Sequence, residues 1–517
     1  MANLLMLTAR SAVIELDSSE KYKTSATYEI CFDGQTRTCD HVVQTIDHLT
    51  PDTDYDMTIR YGGGTQSLHF RTAPESVTLN VRQMNAHGDG VHDDTAAIQA
   101  AILACPPHGR VLIPKGRYSV TALFLKSNIT LEIAEGAVLL GNPDRSMIPV
   151  LPGMVQQYDE QGDYNLGTWE GNPLDCFASM ITGIGVENVV VTGKGVLDGN
   201  ASGDNWWKDD RAKIIAFRPR TVFLNRCKNV TLHGVTIQNS PSWTIHPYFS
   251  KDIKVLCTHL LNPWDSPNTD GIDPESVNGL TVAGVHFSLG DDCVAIKSGK
   301  YYMGSTYGEP SQNIEIRHCY MQNGHGAVSI GSENSGGVYH VHVSHCVFDH
   351  TDRGCRIKTR RGRGKLAVVE DICFEHIEMD HVRTPIVVNC FYNCCDPDRH
   401  SEYVRSKEPL PIDDRTPSVN QLAFRDLTCT HCHVAAAFIY GLPENPVDVV
   451  ELRDVKVRYT ADPIPMEPAM MDDIDEQATL WGGCFYNIRK LILHNVDIQG
   501  CRGEAIDTRG VSELIRE

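Results

Sequence analysis

The sequence lacks any apolar run long enough to cross a membrane, and it is short of basic residues. A membrane-spanning helix needs about 18 or more consecutive apolar residues, and the apolar stretches here are much shorter. The 46 lysines and arginines are outnumbered by 66 acidic residues, so the formal net charge is −20. An excess of acid argues against a general nucleic-acid-binding protein. We therefore expect neither a membrane nor a nucleic acid as a partner.

The N-terminus also lacks the pattern of a secretory signal. Such a signal has basic residues followed by about 7–15 apolar residues, whereas the stretch Leu4–Leu7 is short and follows no basic residue. The 18 cysteines are scattered, and some, such as Cys319 and Cys346, occupy positions where a core aliphatic residue would sit. Unpaired buried thiols suit a reducing compartment. We expect a cytoplasmic protein, or a secreted one if a leader has been lost from this sequence.

Residues 1–74 differ in pattern from the remainder and predict a separate small domain. Residues 25–34 and 55–72 alternate apolar and polar side chains, which is typical of half-buried strands. The segment LTPDTDY between them, which ends at Tyr55, resembles the tyrosine-corner segment of a fibronectin type III domain. We therefore predict a fibronectin type III-like β-sandwich over residues 1–74. Such modules usually act as spacers or bind partners and carry no chemistry.

The remainder of the chain, residues 75–517, predicts a solenoid. A capped helix is expected within residues 88–105, and from residue 227 onward a polar turn followed by apolar residues recurs at intervals of 23–34 residues. Repeats of this period indicate a solenoid or a propeller. Short strands without intervening helices favour a parallel β-helix over leucine-rich or helical repeats. The first apolar residues of six successive repeats are Val230, Ile253, Leu280, Ile314, Val341 and Ile372.

Four consecutive repeats carry polar residues at similar distances after their apolar position. Strands on neighbouring rungs lie about 4.8 Å apart, so we expect these residues to form one column on the floor of a groove. Aspartates stacked in this way can also cap turns or bind calcium between rungs. The histidine and the cations that continue the column favour a catalytic groove instead. The column comprises Asp270, Asp291, Asp292, His325, Arg356 and Lys358.

Four short motifs in this region match, in order, the signatures of a known family. They are N-T-D-G at Asn268–Gly271, G-D-D at Gly290–Asp292, G-H-G at Gly324–Gly326 and R-I-K at Arg356–Lys358. Together they resemble the polygalacturonase family of glycoside hydrolases, and the similarity runs from about residue 77 into the C-terminal region. The resemblance implies a right-handed parallel β-helix that hydrolyses α-1,4-linked galacturonate with inversion. It also implies that no metal or organic cofactor is needed.

The resemblance assigns roles to the acidic residues of the column. Asp291 would be the general acid, and Asp270 and Asp292 would activate the attacking water. Inverting glycosidases usually hold the two carboxyl groups about 6.5–9.5 Å apart, and adjacent rungs allow such a gap. Clustered carboxylates repel one another, which raises the pKa of at least one of them. His325 would hydrogen-bond near the acid, although a structural turn histidine is the alternative.

The basic end of the column predicts how the substrate is recognised. Galacturonate is anionic, and Arg356 and Lys358 share one side of a strand, where they could bind its carboxylate. A solvated loop or a nucleic-acid patch is the alternative, but the segment lacks interleaved aromatic residues. Asn268, within the first motif, is also expected to bind substrate. Tyr392 could stack on a sugar ring or belong to the core.

A cluster of cysteines invites a metal-site interpretation. Cys429 and Cys432 form a C-x-x-C pair, and Cys390, Cys394 and Cys395 precede it. A structural zinc site usually needs a second such pair, and none accompanies this one. We therefore expect no metal.

Three functions stay open from the sequence alone. The favoured one is an exo-acting hydrolase of galacturonate oligomers, because a cytoplasmic enzyme meets only short fragments and the long segment Pro149–Cys176 could close one end of the groove. A pectate lyase, which eliminates with calcium and an arginine base, shares the architecture. A carbohydrate-binding β-helix without activity is the third possibility. The oligomeric state is not predicted.

Overall fold

The computed structural model, which describes residues 2–155, 165–393 and 401–517, consists almost entirely of β-strands. Small antiparallel sheets at the N-terminus precede a long stack of parallel strands. Strand β7 of the antiparallel part ends at Arg71, and the first parallel strand, β8, begins at Thr78. The predicted boundary between residues 74 and 75 falls between these two strands.

The N-terminal part has two antiparallel sheets around their own core. One sheet has the order β1-β2-β5 and the other β4-β3-β6-β7, an arrangement that fits a β-sandwich. The hydroxyl of Tyr55 accepts a hydrogen bond from the backbone N–H of Thr50 at 2.9 Å, as in a tyrosine corner. The fibronectin type III assignment stays a prediction. The strands are β1 (Ala2–Leu7), β2 (Ala12–Leu16), β3 (Lys23–Phe32), β4 (Gln35–His41), β5 (Val43–Ile46), β6 (Asp54–Tyr61) and β7 (Gly64–Arg71).

The remainder is a parallel β-helix, as predicted. The six apolar positions that mark the sequence repeat are paired directly, each with the next, from Val230 to Ile372. All six side chains are buried in one continuous core. Period-two alternation places every second residue of a strand inside, so stacking in register gives columns of like residues.

The strands of the β-helix are short, and most pair in parallel with the strands one rung away. They are β8 (Thr78–Asn80), β9 (Asp89–Asp93), β10 (Gly109–Ile113), β11 (Gly116–Val120), β12 (Leu123–Phe124), β13 (Ile129–Ile133), β14 (Ala137–Gly141), β15 (Val150–Leu151), β16 (Cys176–Phe177), β17 (Ile181–Ile184), β18 (Glu187–Gly193), β19 (Val196–Asp198), β20 (Val222–Asn225), β21 (Lys228–His233), β22 (Thr236–Gln238), β23 (Ile245–Tyr248), β24 (Lys251–Leu256), β25 (His259–Leu261), β26 (Asn278–Ala283), β27 (His286–Leu289), β28 (Val294–Ile296), β29 (Ser311–Arg317), β30 (Tyr320–Asn323), β31 (Val328–Ile330), β32 (Val338–Ser344), β33 (Val347–Asp349), β34 (Arg353–Lys358), β35 (Val368–Asp380), β36 (Thr384–Asn389), β37 (Ser418–Val419), β38 (Gln421–Cys432), β39 (Ala435–Tyr440), β40 (Val447–Tyr459), β41 (Trp481–Gln499) and β42 (Ile506–Arg516).

Helices are few and short in the described residues. The helix expected within residues 88–105 is α1 (Thr95–Ala104), which begins after Asp94 and buries Ile98, Ala101 and Ile102. The other two are α2 (Tyr301–Tyr307) and α3 (Glu402–Arg405), and 3₁₀ turns span Val81–Met84 and Arg145–Met147. None of the described helices has the length and apolar character that a membrane span requires.

The N-terminal module packs closely against one side of the β-helix. Glu15 forms a two-point ion pair with Arg317, with contacts of 2.5 and 3.2 Å. Val43 of the module joins a small apolar cluster with Leu256 and Ala283 of the β-helix. The module thus forms an ion pair and an apolar contact with the β-helix, which is compatible with a binding role as well as with the spacer role that the sequence analysis named.

Candidate active site

Asp291 and Asp292 lie just before strand β28, and Asp270 lies just before Ile272, which pairs with Val294 of β28 from the preceding rung. The backbone N–H of Gly271 donates to the carbonyl of Asp292, and the N–H of Cys293 donates to that of Gly326. Asp270 and Asp292 therefore occupy equivalent positions on neighbouring rungs, just ahead of the strands. His325 is next to Gly326 on the following rung, so the first four members of the predicted column, Asp270, Asp291, Asp292 and His325, do come together.

Arg356 and Lys358 do not share that position. Arg356 is paired with Ser329 in the middle of β31. The position in register with Asp270 and Asp292 lies three residues earlier on the strand of Arg356. The sequence analysis placed Arg356 and Lys358 in the column by counting residues from the apolar position of their rung. That count is wrong here because the turns differ in length between rungs. Their long side chains nevertheless extend back to Asp292 and reach the site.

Asp292 is held by two cations. Arg356 Nη1 donates to Asp292 Oδ1 at 2.9 Å, and Lys358 Nζ donates to Oδ2 at 2.7 Å. All three side chains are almost fully buried. Burial alone would raise the pKa of Asp292, but the charges of Lys358 and Arg356 outweigh it and hold this pKa far below the ordinary value. Asp292 is thus an ionised carboxylate with both oxygens bonded.

Asp270 has the opposite environment. Its pKa is raised well above the ordinary value, first by burial and then by the negative charges of Asp273 and Asp291. Asp270 Oδ1 has no hydrogen-bond partner among the described residues. A buried carboxyl group without a cation of its own binds a proton more readily than Asp292 does.

Asp291 is paired with His325 at the rim of the site. His325 Nδ1 lies 3.4 Å from Asp291 Oδ1, and the two side chains are 52% and 19% exposed. Burial alone would raise the pKa of Asp291, but the hydrogen bond and charge of His325 lower it. The hydrogen bond and charge of Asp291 in turn raise the pKa of His325. Without substrate, the proton of this pair resides on the imidazole.

The three carboxyl groups are closer together than the sequence suggested. One oxygen from each of Asp270, Asp291 and Asp292 lies within 4.8 Å of the others, whereas a gap of about 6.5–9.5 Å is usual for inverting enzymes. The strand spacing of the β-helix sets this short distance. Such a group could hold a divalent cation, but Arg356 and Lys358 already occupy both oxygens of Asp292.

The two remaining predicted residues flank the site differently. Asn268 Oδ1 accepts a hydrogen bond from Arg218 Nη2 at 2.7 Å, so its carbonyl oxygen is engaged by the protein. Tyr392 is only partly buried, and its ring centroid lies 5.5 Å from Lys358 Nζ. The ring of Tyr392 therefore borders the cationic side of the site rather than the core.

The sequence analysis missed a second buried ionic group behind Asp270. Lys297 Nζ lies 3.5 Å from Asp273 and 3.3 Å from Glu333, and it stacks 4.6 Å above the ring of Trp243. Burial lowers the pKa of Lys297, but Glu333 and Asp273 outweigh it and raise this pKa. The signal for Lys297 was a single cation within the otherwise apolar strand segment that follows the G-D-D motif.

Bulky side chains contact the cations that surround the carboxyl groups. Trp169 stacks on Phe217 with ring centroids 5.0 Å apart and on Trp243 with centroids 6.4 Å apart. Because Lys297 Nζ also lies over the ring of Trp243, the C-terminal part of the segment Pro149–Cys176 lies near Lys297. Residues 156–164 of that segment lie outside the described residues. Near the other cations of the site, the sulfur of Met470 contacts Arg356 Nη2 at 3.1 Å.

The cysteines predicted to lack a metal belong largely to the core. Cys390, Cys429 and Cys432 are buried free thiols. Cys432 Sγ contacts the carbonyl oxygens of Arg383 and Ala435 at 3.5 Å. Cys394 and Cys395 lie outside the described residues.

Comparison with known proteins relates this arrangement to one family. The model of glycosyl hydrolases family 28 matches residues 156–461. A probable polygalacturonase of Vitis vinifera is 29% identical over 382 residues, which cover 72% of this chain and 73% of the relative. An exo-poly-alpha-D-galacturonosidase of Dickeya chrysanthemi is 28% identical over 431 residues, covering 74% and 69%.

Two solved structures share the fold over most of their length. A family 28 exopolygalacturonase of Yersinia enterocolitica superposes with a TM-score of 0.74 and 18% identity, covering 99% of this chain and 98% of the other. A hyperthermoactive exopolygalacturonase of Thermotoga maritima gives a TM-score of 0.63 and 27% identity, covering 78% and 94%. The similarity to the Yersinia protein extends over nearly the whole chain and therefore includes the N-terminal module.

Proposed function

The chain belongs to family 28 of the glycosyl hydrolases, and we propose that it hydrolyses α-1,4-galacturonosidic bonds of short pectin-derived galacturonides, with inversion and from a chain end. The observation that carries this proposal is that three neighbouring carboxyl groups have different surroundings and therefore different pKa values. Asp292 is ionised by two cations, Asp270 holds its proton tightly, and Asp291 shares a proton with His325. Neighbouring carboxyl groups with separated pKa values are typical of acid–base catalysis.

Asp291 is the general acid in this proposal because of its position. It lies at the accessible rim with His325, where a glycosidic oxygen can approach, while Asp270 and Asp292 lie deeper. When substrate is bound, the imidazolium of His325 passes its proton to Asp291, and Asp291 gives that proton to the leaving oxygen as the glycosidic bond breaks. Asp270 and Asp292 hold the water, and Asp270 in its ionised form accepts the water's proton as the new C–O bond forms.

The proposal of inversion rests on the carboxylates that would otherwise act as nucleophiles. A retaining enzyme needs a carboxylate with a free oxygen to attack the sugar. Both oxygens of Asp292 are bonded to Arg356 and Lys358, so direct attack would cost those bonds; Asp270, whose Oδ1 has no bonded partner among the described residues, is assigned here to the attacking water. Proton NMR of the first-formed product distinguishes the mechanisms, because inversion yields the β-anomer and retention the α-anomer.

Exo action is supported by bulky side chains near the ions of the site. Trp169 stacks on Trp243 beneath Lys297, and Met470 contacts Arg356, and in this proposal both limit the length of chain that the groove accepts. The Dickeya and Yersinia proteins are named as exo-acting enzymes. We also propose a cytoplasmic location, where only short fragments would be available as substrates.

Recognition of the uronate carboxylate is assigned to Lys358 and Arg356, with Tyr392 alongside and Asn268 at the edge. Both cations already bind Asp292, so they would contact the substrate with their remaining N–H groups. Lys358 Nζ has three donors, and an arginine has five. One cation can thus bridge Asp292 and a substrate carboxylate.

The experiment that tests this function is the mass spectrometry of products from trigalacturonate in isotopically labelled water, with and without a chelator. Hydrolysis adds one labelled oxygen per cleavage and is expected to be insensitive to the chelator. An unsaturated product would indicate a lyase, which Arg356 suits poorly because Asp292 raises the pKa of its guanidinium and keeps it protonated. An intact trimer would indicate a binding protein and would contradict the proposal.

A further inference from the structure

A cluster of metal-ligating side chains lies on the outer surface of the β-helix, away from the carboxyl groups of the active site. His342 of β32 is paired directly with Cys373 of β35, and Glu375 lies two residues further along β35. These residues alternate with the buried Val343 and Phe374, so all three side chains point outward from the same sheet. The sheet therefore presents an imidazole, a thiol and a carboxylate on one patch.

The distances within this patch are close to those of a metal site. His342 Nε2 lies 2.9 Å from Glu375 Oε1, and Cys373 Sγ lies 3.9 Å from Glu375 Oε2. One ligand atom from each residue lies within 4.8 Å of the other two. Around tetrahedral Zn²⁺, with bonds of about 2.0–2.3 Å, neighbouring ligand atoms are about 3.3–3.7 Å apart. Movements of less than about 1 Å would bring the three residues to that geometry.

Glu315 on the preceding rung adds a second layer to the patch. Its Oε2 lies 3.6 Å from Nδ1 of His342, on the opposite side of the ring from Glu375. Metal-binding histidines usually donate their other ring N–H to a carboxylate, which fixes the tautomer and directs the free nitrogen at the metal. Glu315 is placed to do this for His342. On the other side of Cys373, the residue in register is Ala423, whose small side chain leaves the sulfur accessible.

We propose that His342 Nε2, the thiolate of Cys373 and the carboxylate of Glu375 bind a thiophilic divalent cation of the Zn²⁺ class. A water molecule would complete four-coordination, and Glu315 would orient the imidazole. Binding forms a metal–sulfur bond and releases the thiol proton to solvent. The ion would connect strands β32 and β35 on neighbouring rungs, so its expected effect is to stabilise the β-helix.

Cobalt titration of the chelator-treated, reduced full-length protein tests this site. Co²⁺ bound to a thiolate gives a charge-transfer band in the near ultraviolet, and tetrahedral Co²⁺ gives visible d–d bands. We expect both bands to saturate at one equivalent and to disappear when Zn²⁺ is added. Cys373→Ser should abolish the charge-transfer band. The matched control is Cys31→Ser, because Cys31 is also half-buried, its sulfur lies 3.4 Å from the hydroxyl of Thr36, and it belongs to none of the candidate metal-ligating groups found among the described residues.

Two further variants keep the test decisive. Glu315→Gln should retain the charge-transfer band but weaken affinity by about 10–100-fold, as expected for a residue that orients a ligand. His342→Gln should abolish stoichiometric binding even if Cys373→Ser cannot be purified folded. A wild-type protein without the charge-transfer band, or a band that persists in Cys373→Ser, would overturn the proposal. Either result would mean that His342 and Glu375 form only a surface hydrogen bond.

Discussion

The ion pair between Lys358 and Asp292 allows one perturbation to be worked through in detail. Lys358→Met removes the charge and keeps most of the side-chain volume, so the packing around β34 should be preserved. The Nζ–Oδ2 distance is 2.7 Å, and both side chains are almost fully buried. The substitution therefore leaves Asp292 with Arg356 alone as its partner.

The expected magnitude follows from this burial. Lys358 is also assigned to the substrate carboxylate, and truncating one partner of a buried, hydrogen-bonded charge pair in a complex costs about 2–5 kcal/mol, with each 1.4 kcal/mol about a factor of ten. We therefore expect kcat/KM for trigalacturonate to fall by about 10–10⁴-fold. Lys365→Met is the matched control, because its pair with Asp414 is 66% and 79% exposed and should contribute only about 0–1 kcal/mol.

A second measurement separates the two roles given to Lys358. In an Asp292→Asn background, Lys358 can no longer act by ionising Asp292. Calorimetry should then show that adding Lys358→Met weakens binding of trigalacturonate but leaves binding of its methyl ester nearly unchanged, because the ester masks the carboxylate. Equal losses on both ligands, or no loss on either, would refute the assignment of Lys358 to uronate recognition.

Three other predictions follow from the same geometry. The profile of kcat/KM against pH should be bell-shaped: activity falls with decreasing pH as Asp270 takes up its proton at a raised pKa, and falls with increasing pH as His325 loses its own. His325→Gln should move the alkaline limb, which would then report the deprotonation of Asp291 alone, and an unchanged profile would exclude His325 from proton supply. Lys297→Met should lower the free energy of unfolding in urea by about 3–5 kcal/mol, because it leaves the buried carboxylates of Asp273 and Glu333 without their cation. A loss below about 1 kcal/mol would show that these two carboxyl groups are neutral. Arg317→Ala should lower the unfolding temperature measured by calorimetry, because it removes the ion pair that holds the N-terminal module to the β-helix. The kcat of the folded variant should be unchanged. A lower kcat in the folded variant would show that the module contributes to the active site.

The repeat of the β-helix could be predicted from the sequence because it is a local pattern. Val230 and Ile253 mark successive rungs, and parallel stacking requires only that like positions align. The same counting failed for Arg356, which is three residues further along its strand than the column required. Turn lengths vary between rungs, and only the hydrogen bonds between strands define the register.

The proton affinities of the site could not be predicted from the motifs. Asp291 and Asp292 are adjacent in sequence, yet one is paired with His325 and the other with cations 64 and 66 residues away. The pKa of a carboxyl group depends on burial and on such distant partners. The ion pair between Glu15 and Arg317 could not be predicted from the sequence for the same reason, since 302 residues separate the two side chains.

The central claim is that Asp270, Asp291 and Asp292 perform the hydrolysis, and the initial rate on trigalacturonate of the three single Asn variants tests it most directly. Asp265→Asn, an exposed aspartate in the loop before Asp270, is the matched control. The account predicts that each of the three variants still folds and loses about 10²–10⁴ in kcat, while the control is unchanged; Asp292→Asn should unfold at a lower temperature, because it leaves Arg356 and Lys358 without their buried carboxylate. A folded variant at any of the three positions with near-normal kcat would contradict it.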